Sequence, residues 1–151
     1  MNQASSQVRI DAIARQCVSL RLRRLNRIVT NAYDEHLRPL GLRASQINIL
    51  VAAWKMGLAR PKKVCDFLNL DPSTMSRNVR RMCAKGWLEV VPAADGRLQP
   101  FRLTDDGLKL LEQSVPLWRN AQRRVTELLG PEFVAALETV ARRVDEQCEP
   151  S

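Results

Sequence analysis

Six hydroxyl or guanidinium side chains crowd into nine residues of this chain: Ser73, Thr74, Ser76, Arg77, Arg80 and Arg81. Hydroxyls and guanidiniums are the groups that bond phosphate oxygens and base edges, and a guanidinium can bond guanine through two parallel contacts. Met75, Val79 and Met82 recur between them at helical spacing, so the donors fall largely off one apolar stripe. Asp71 can cap this helix, Pro72 suits its first position, and Gly86 suits the left-handed residue that ends it. Such a helix fits a DNA major groove. A solvated amphipathic helix would show the same spacing, so the surrounding elements must decide.

Those elements favour the groove. Trp87 to Val91 predicts a strand, Ala94-Asp95-Gly96-Arg97 a hairpin tip, and Leu98 to Leu103 the returning strand, with Pro100 limiting it to an edge or a bulge. A basic helix followed by a two-stranded wing tipped with arginine is a winged helix-turn-helix. Upstream, the spacing predicts one long helix from about Arg9 to Leu37, ended by Pro39 and Gly41 and about 40 Å long. A second helix is expected from Ser45 to about Lys55, with Ile47, Leu50, Val51 and Trp54 turned inward. The third, Pro61 to Asn69, carries Lys62 and Lys63 near its start as candidate phosphate contacts. After the wing, Thr104 caps a helix running to Leu129 that Pro116 should kink, and Pro131 opens a last helix to about Gln147.

The charge is distributed to match. The 151 residues carry a net charge of +8, yet residues 103–151 hold nine acidic and six basic side chains, so the excess lies upstream. Such a balance suits a polyanionic partner. Cys17, Cys65, Cys83 and Cys148 show no paired spacing, which argues against a metal site and a disulfide framework. Neither a membrane span nor a signal peptide is expected, and the default setting is cytoplasmic. One histidine, no His-Glu-x-x-His, no phosphate-cradling glycine loop and no Gly-x-Ser-x-Gly point away from an enzyme, and no cofactor is implied.

Asp95-Gly96-Arg97, followed by Leu103-Thr104-Asp105-Asp106-Gly107, resembles the Asp-x-Arg wing tip and Leu-Thr-x-x-Gly exit of the MarR family of bacterial transcriptional regulators. Gly41-Leu42, Lys85-Gly86-Trp87-Leu88 and Pro116-Leu117-Trp118 resemble it too, so the likeness covers nearly the whole chain. It departs at Arg43, where the family usually has a Ser or Thr cap, and Ser45 is then expected to cap two residues late. The resemblance implies a mainly α fold with a small β-wing: a winged helix-turn-helix over residues 42–107, and terminal dimerisation helices over 9–40 and 108–148. It implies a homodimer on a pseudo-palindromic operator, commonly as a repressor. Arg77 is the expected base contact, Arg80 and Arg81 meet phosphates, Arg97 enters the minor groove, and Asp95 orients Arg97.

Two modes of release are open. Family members commonly respond to small aromatic acids held between the dimerisation helices and the reading domain, and Arg21, His36, Trp54 and Trp118 lie in segments that could line such a pocket. Another branch senses organic peroxides through a cysteine near the start of the first helix. Cys17 is in that region, with Arg15, Arg21 and Arg24 near it, but it also fits the apolar stripe of a structural cysteine. A third reading keeps the winged helix and replaces DNA by an acidic protein partner.

Overall fold

The computed structural model describes residues 3–92 and 99–148. Helix α1 (Gln3–Gln16) and α2 (Val18–Leu37) lead through a short 3-10 turn, Arg38–Leu40, into α3 (Ala44–Met56). Then come α4 (Pro61–Leu68), α5 (Pro72–Ala84), strands β1 (Leu88–Val90) and β2 (Phe101–Leu103), α6 (Asp105–Leu129) and α7 (Pro131–Cys148). The strands are antiparallel, pairing Leu88 with Leu103, Glu89 with Arg102 and Val90 with Phe101. The molecule is mainly α with a β-wing, a winged helix-turn-helix with long terminal helices.

One apolar core gathers the middle of the chain. Leu37, Leu42, Ile49, Leu50, Met75, Met82, Leu88 and Phe101 are all buried, contributed by α2, the link before α3, α3 itself, α5 and both strands. Each such side chain contributes roughly 1.5–3 kcal/mol by leaving water. The wing is therefore anchored at its base. Ala59 adds a further pairing that the sequence did not suggest: its N–H donates to the Phe101 carbonyl at 2.8 Å, and Phe101 returns the bond at 3.0 Å. Pro100 stands just outside β2, where its missing N–H costs the ladder nothing.

Three local expectations need correction. The long first helix breaks at Cys17, whose extended backbone (φ −64°, ψ 111°) separates α1 from α2. On α1, Ile10 and Ile13 are mostly exposed, and without packing an isolated helix in water is marginal. Beyond the break, Leu25, Val29, Tyr33 and Leu37 turn inward at intervals of four. The second helix starts at Ala44, and Ser45 does not cap it. The Ala44 N–H donates to Asp34 Oδ1 at 2.7 Å and the Arg43 N–H to Gln46 Oε1 at 3.1 Å, so α2 supplies the cap across space. Trp54 shares the side of α3 that carries Ile47, but it is 59% exposed because the helix opposite stands off there.

Helix α6 runs through Pro116 without ending and packs along α2, where the Tyr33 hydroxyl donates to Gln122 Oε1. Burial raises the Tyr33 hydroxyl's pKa. Among the described residues α7 packs chiefly on α6, leaving Phe133, Leu137, Val140 and Val144 each between 41% and 49% exposed along one stripe. No described helix is long and apolar enough to cross a membrane.

Candidate nucleic-acid interface

Helix α5 is held rigidly from behind and left free in front. Met75 and Met82 are fully buried and Val79 is half-buried, which fixes the helix's rotation. At about 100° per residue, Ser73, Arg77, Arg80 and Arg81 fall within roughly 100° of each other on the opposite side, and all four are exposed. Thr74 and Ser76 flank that face, half-buried. Arg77 is steadied from below, its guanidinium donating to Thr74 Oγ1 at 3.2 Å. Asn78 bonds the Thr74 carbonyl at 3.0 Å and so reinforces the same turn.

The turn before α5 sets its angle. Asn69, in the left-handed region at φ 50°, closes α4, and the Leu70 N–H donates back to the Cys65 carbonyl at 2.9 Å. Asp71 then caps α5: its Oδ1 accepts the Thr74 N–H at 2.8 Å and the Ser73 hydroxyl at 2.5 Å. Those bonds, the Ser73 hydroxyl's first, together with the Arg77 charge hold the Asp71 carboxyl well below the usual carboxylate range. A depressed folded-state value contributes stability above the unfolded value of about 4, lost as pH falls through the folded one. Replacement Asp71→Asn should therefore lower the urea midpoint at pH 7 and lower it progressively less as the pH is brought below about 4. A constant difference across that range would contradict the charged cap.

Beyond the helix, Lys85 Nζ sits 4.3 Å from the Trp87 ring centre and bonds the Gly41 carbonyl at 3.3 Å. Thr104 ties the end of α5 to the start of α6: its hydroxyl donates to the Gly86 carbonyl at 2.6 Å and accepts the Gly107 N–H at 3.0 Å. Arg102 pairs with Glu89 across the wing. Lys62 and Lys63 are exposed in the first turn of α4, at the positive end of its dipole, where an anion is favoured. Exposed Arg60, not singled out from the sequence, precedes them and extends the basic run. Its only signal in the sequence is a charge one residue removed from the lysine pair, across Pro61. Asp95 and Arg97 lie outside the described residues.

The four candidate pocket residues do not converge. Trp54 and Trp118 line a cleft of about 370 Å³ between α3 and α6. His36 belongs to a separate groove between α2 and α6, with Asn31 and Arg124. Arg21 is in neither, because its guanidinium donates to the Arg15 carbonyl beside the helix break. A single helix, α6, separates the two grooves, and spacing along the chain cannot show on which side of it a residue falls. Cys17 is half-buried at the break. Burial pushes the thiols of Cys65 and Cys83 up, away from the reactive thiolate.

Residues 59–107 match the family described as a winged helix DNA-binding domain. The chain is 28% identical over 113 residues to the multiple antibiotic resistance protein MarR of Escherichia coli, covering 74% of this chain and 78% of that protein. It is 28% identical over 87 residues to the HTH-type transcriptional regulator YwoH of Bacillus subtilis, a match spanning 58% of this chain and just under two thirds (64%) of that relative. Among solved structures, the regulator MosR of M. tuberculosis in complex with DNA superposes with a TM-score of 0.72 at 28% identity, over 89% of this chain and 100% of that one. A mutant MarR from E. coli complexed with operator DNA shares the fold at a TM-score of 0.76, with 24% identity over 88% of this chain and 96% of that one.

Proposed function

We propose a function from one premise: the chain belongs to the MarR family of bacterial winged helix-turn-helix transcriptional regulators. Two copies bind one pseudo-palindromic operator, with residues 9–40 and 108–148 forming the dimer and residues 42–107 reading DNA. The exposed Ser73, Arg77, Arg80 and Arg81 face of the capped helix α5 carries this reading. Arg77, with Ser73, Thr74 and Ser76, meets base edges; Arg80, Arg81, Lys62 and Lys63 meet phosphates; Arg97 enters the minor groove with Asp95 orienting it. Two-fold pairing sets the half-sites about one helical turn apart, roughly 10 base pairs. By the family's commoner mode the regulator acts as a repressor, in the cytoplasm, its operator placed where bound protein would exclude polymerase from a promoter.

Release follows from a small-molecule effector in the cleft between α3 and α6. The cleft is walled by one helix of the reading domain and one that continues toward α7, so a ligand there bears on the angle between them. Support comes from the cleft's size and from its two tryptophans, both aromatic and partly exposed.

Selection of bound sequences from a random DNA pool tests the reading, and recovery of a palindromic motif is the expected result. Replacing Arg77 by alanine should then cost about 1–3 kcal/mol of discrimination at one base position of that motif. Arg97→Ala should weaken binding to the same duplex without moving that preference. Gel-shift titrations unchanged for both variants would remove these assignments.

A further inference from the structure

We propose that the cleft between α3 and α6 receives a flat organic cation. The inference rests on the effector reading above and specifies its ligand. Three observations carry it. Trp54 and Trp118 project into the same cleft from opposite helices, and the walls between them are Val51, Leu111 and Val115. Two indole faces over an apolar floor bind flat π-systems, and indole is the ring that attracts cations best.

The second observation is charge. Glu112, one residue beyond Leu111 on α6, is the charged side chain in the lining, and no Lys, Arg or His lines the cleft among the described residues. Nearby basic groups are turned elsewhere: Lys55 Nζ lies 6.0 Å from the Phe67 ring centre, and Lys109 pairs with Asp106 at 3.6 Å. The opening turns of α6 hold Asp105, Asp106 and Glu112 against that one lysine. An aromatic carboxylate here would meet a like charge without a cation to pair with; a cation meets both Glu112 and the rings.

Third, the other two polar side chains of the lining, Ser114 and Asn48, do not reverse the preference. Ser114 Oγ is satisfied by the Leu111 carbonyl at 2.6 Å and so offers no free donor to an anion. Asn48 is uncharged and can orient either kind of ligand.

The test is calorimetric titration of the full chain with three flat probes: N-methylquinolinium, its neutral isostere quinoline at pH 7.5, and salicylate. N-methylquinolinium should bind tightest. Glu112→Gln should weaken it about fivefold while leaving quinoline unchanged. Trp54→Leu and Trp118→Leu should each weaken it about tenfold. Salicylate binding as tightly as the cation, or equal losses for cation and quinoline in Glu112→Gln, would overturn the assignment. So would the failure of all three probes to bind, with Trp54 and Trp118 shielded from acrylamide quenching, which would give the cleft to the second copy of the chain. A gel shift on the selected duplex separates the two claims. Cation binding that depends on Glu112 but leaves the complex intact supports the site and removes the effector reading. Release by salicylate that is insensitive to all three substitutions, with no Glu112-dependent binding of the cation, keeps an effector and removes this site.

Discussion

Gly107→Ala should destabilise the fold by roughly 3 kcal/mol, the upper end for an overpacked site, and lower the thermal midpoint by about 10 °C. Helix propensity alone gives the opposite sign, since alanine is the better helix former by about 1 kcal/mol. Sterics decide. A Cβ on Gly107 would lie 2.0 Å from the Trp87 carbonyl oxygen, 2.9 Å from its carbon and 3.1 Å from Leu103 Cδ1. The first two atoms are backbone and cannot rotate away. That same carbonyl accepts the Thr104 N–H at 3.2 Å, so retreat would open the joint between the wing base and α6. Urea unfolding followed by circular dichroism measures the cost, and an unchanged midpoint would show that α6 does not close on Trp87 in this way.

A second large effect is expected far from α5. If the proposed dimer forms through α7, the double replacement Leu137→Asp with Val140→Asp should convert it to monomer and weaken operator binding by about 100-fold or more, because two linked half-sites become two separate ones. Both side chains are 49% exposed on α7, so the protomer should keep its helicity. Ile10 and Ile13 on α1 are exposed as well, and Phe133, Leu137, Val140 and Val144 form one apolar stripe on α7, the kind of surface that marks an interaction site. Sedimentation of the variant and its titration on the selected duplex decide the point. A variant that stays dimeric would place the dimer contact elsewhere.

Local chemistry makes helix α5 legible in the sequence. Asp71, Pro72 and Gly86 act on the backbone within a few residues of themselves, and α5 begins at Pro72 and ends at Ala84, just before Lys85 and Gly86. Thr104 could be read as a cap for the same reason. What stayed hidden was set across space. The cap of α3 comes from Asp34, ten residues away on another helix, and the extra pairing at the base of the wing comes from Ala59. The break at Cys17 has no proline or glycine to announce it. Trp54 was placed on the correct side of α3, but whether that side met a helix or a cleft depended on where α6 passes. The exit motif is recognisable by resemblance, whereas its need for glycine lies in the Trp87 carbonyl packed against Gly107, a contact no local spacing reveals.

The decisive measurement is fluorescence anisotropy across a salt series, comparing the selected duplex with a scrambled one. Two chains should occupy each duplex, and the selected site should be bound roughly 1,000-fold or more tighter than the scrambled one. Both affinities should fall steeply with salt, by a log–log slope of about −0.9 for each phosphate neutralised. Equal affinity for the two duplexes, or one chain per site, would contradict paired, sequence-specific binding.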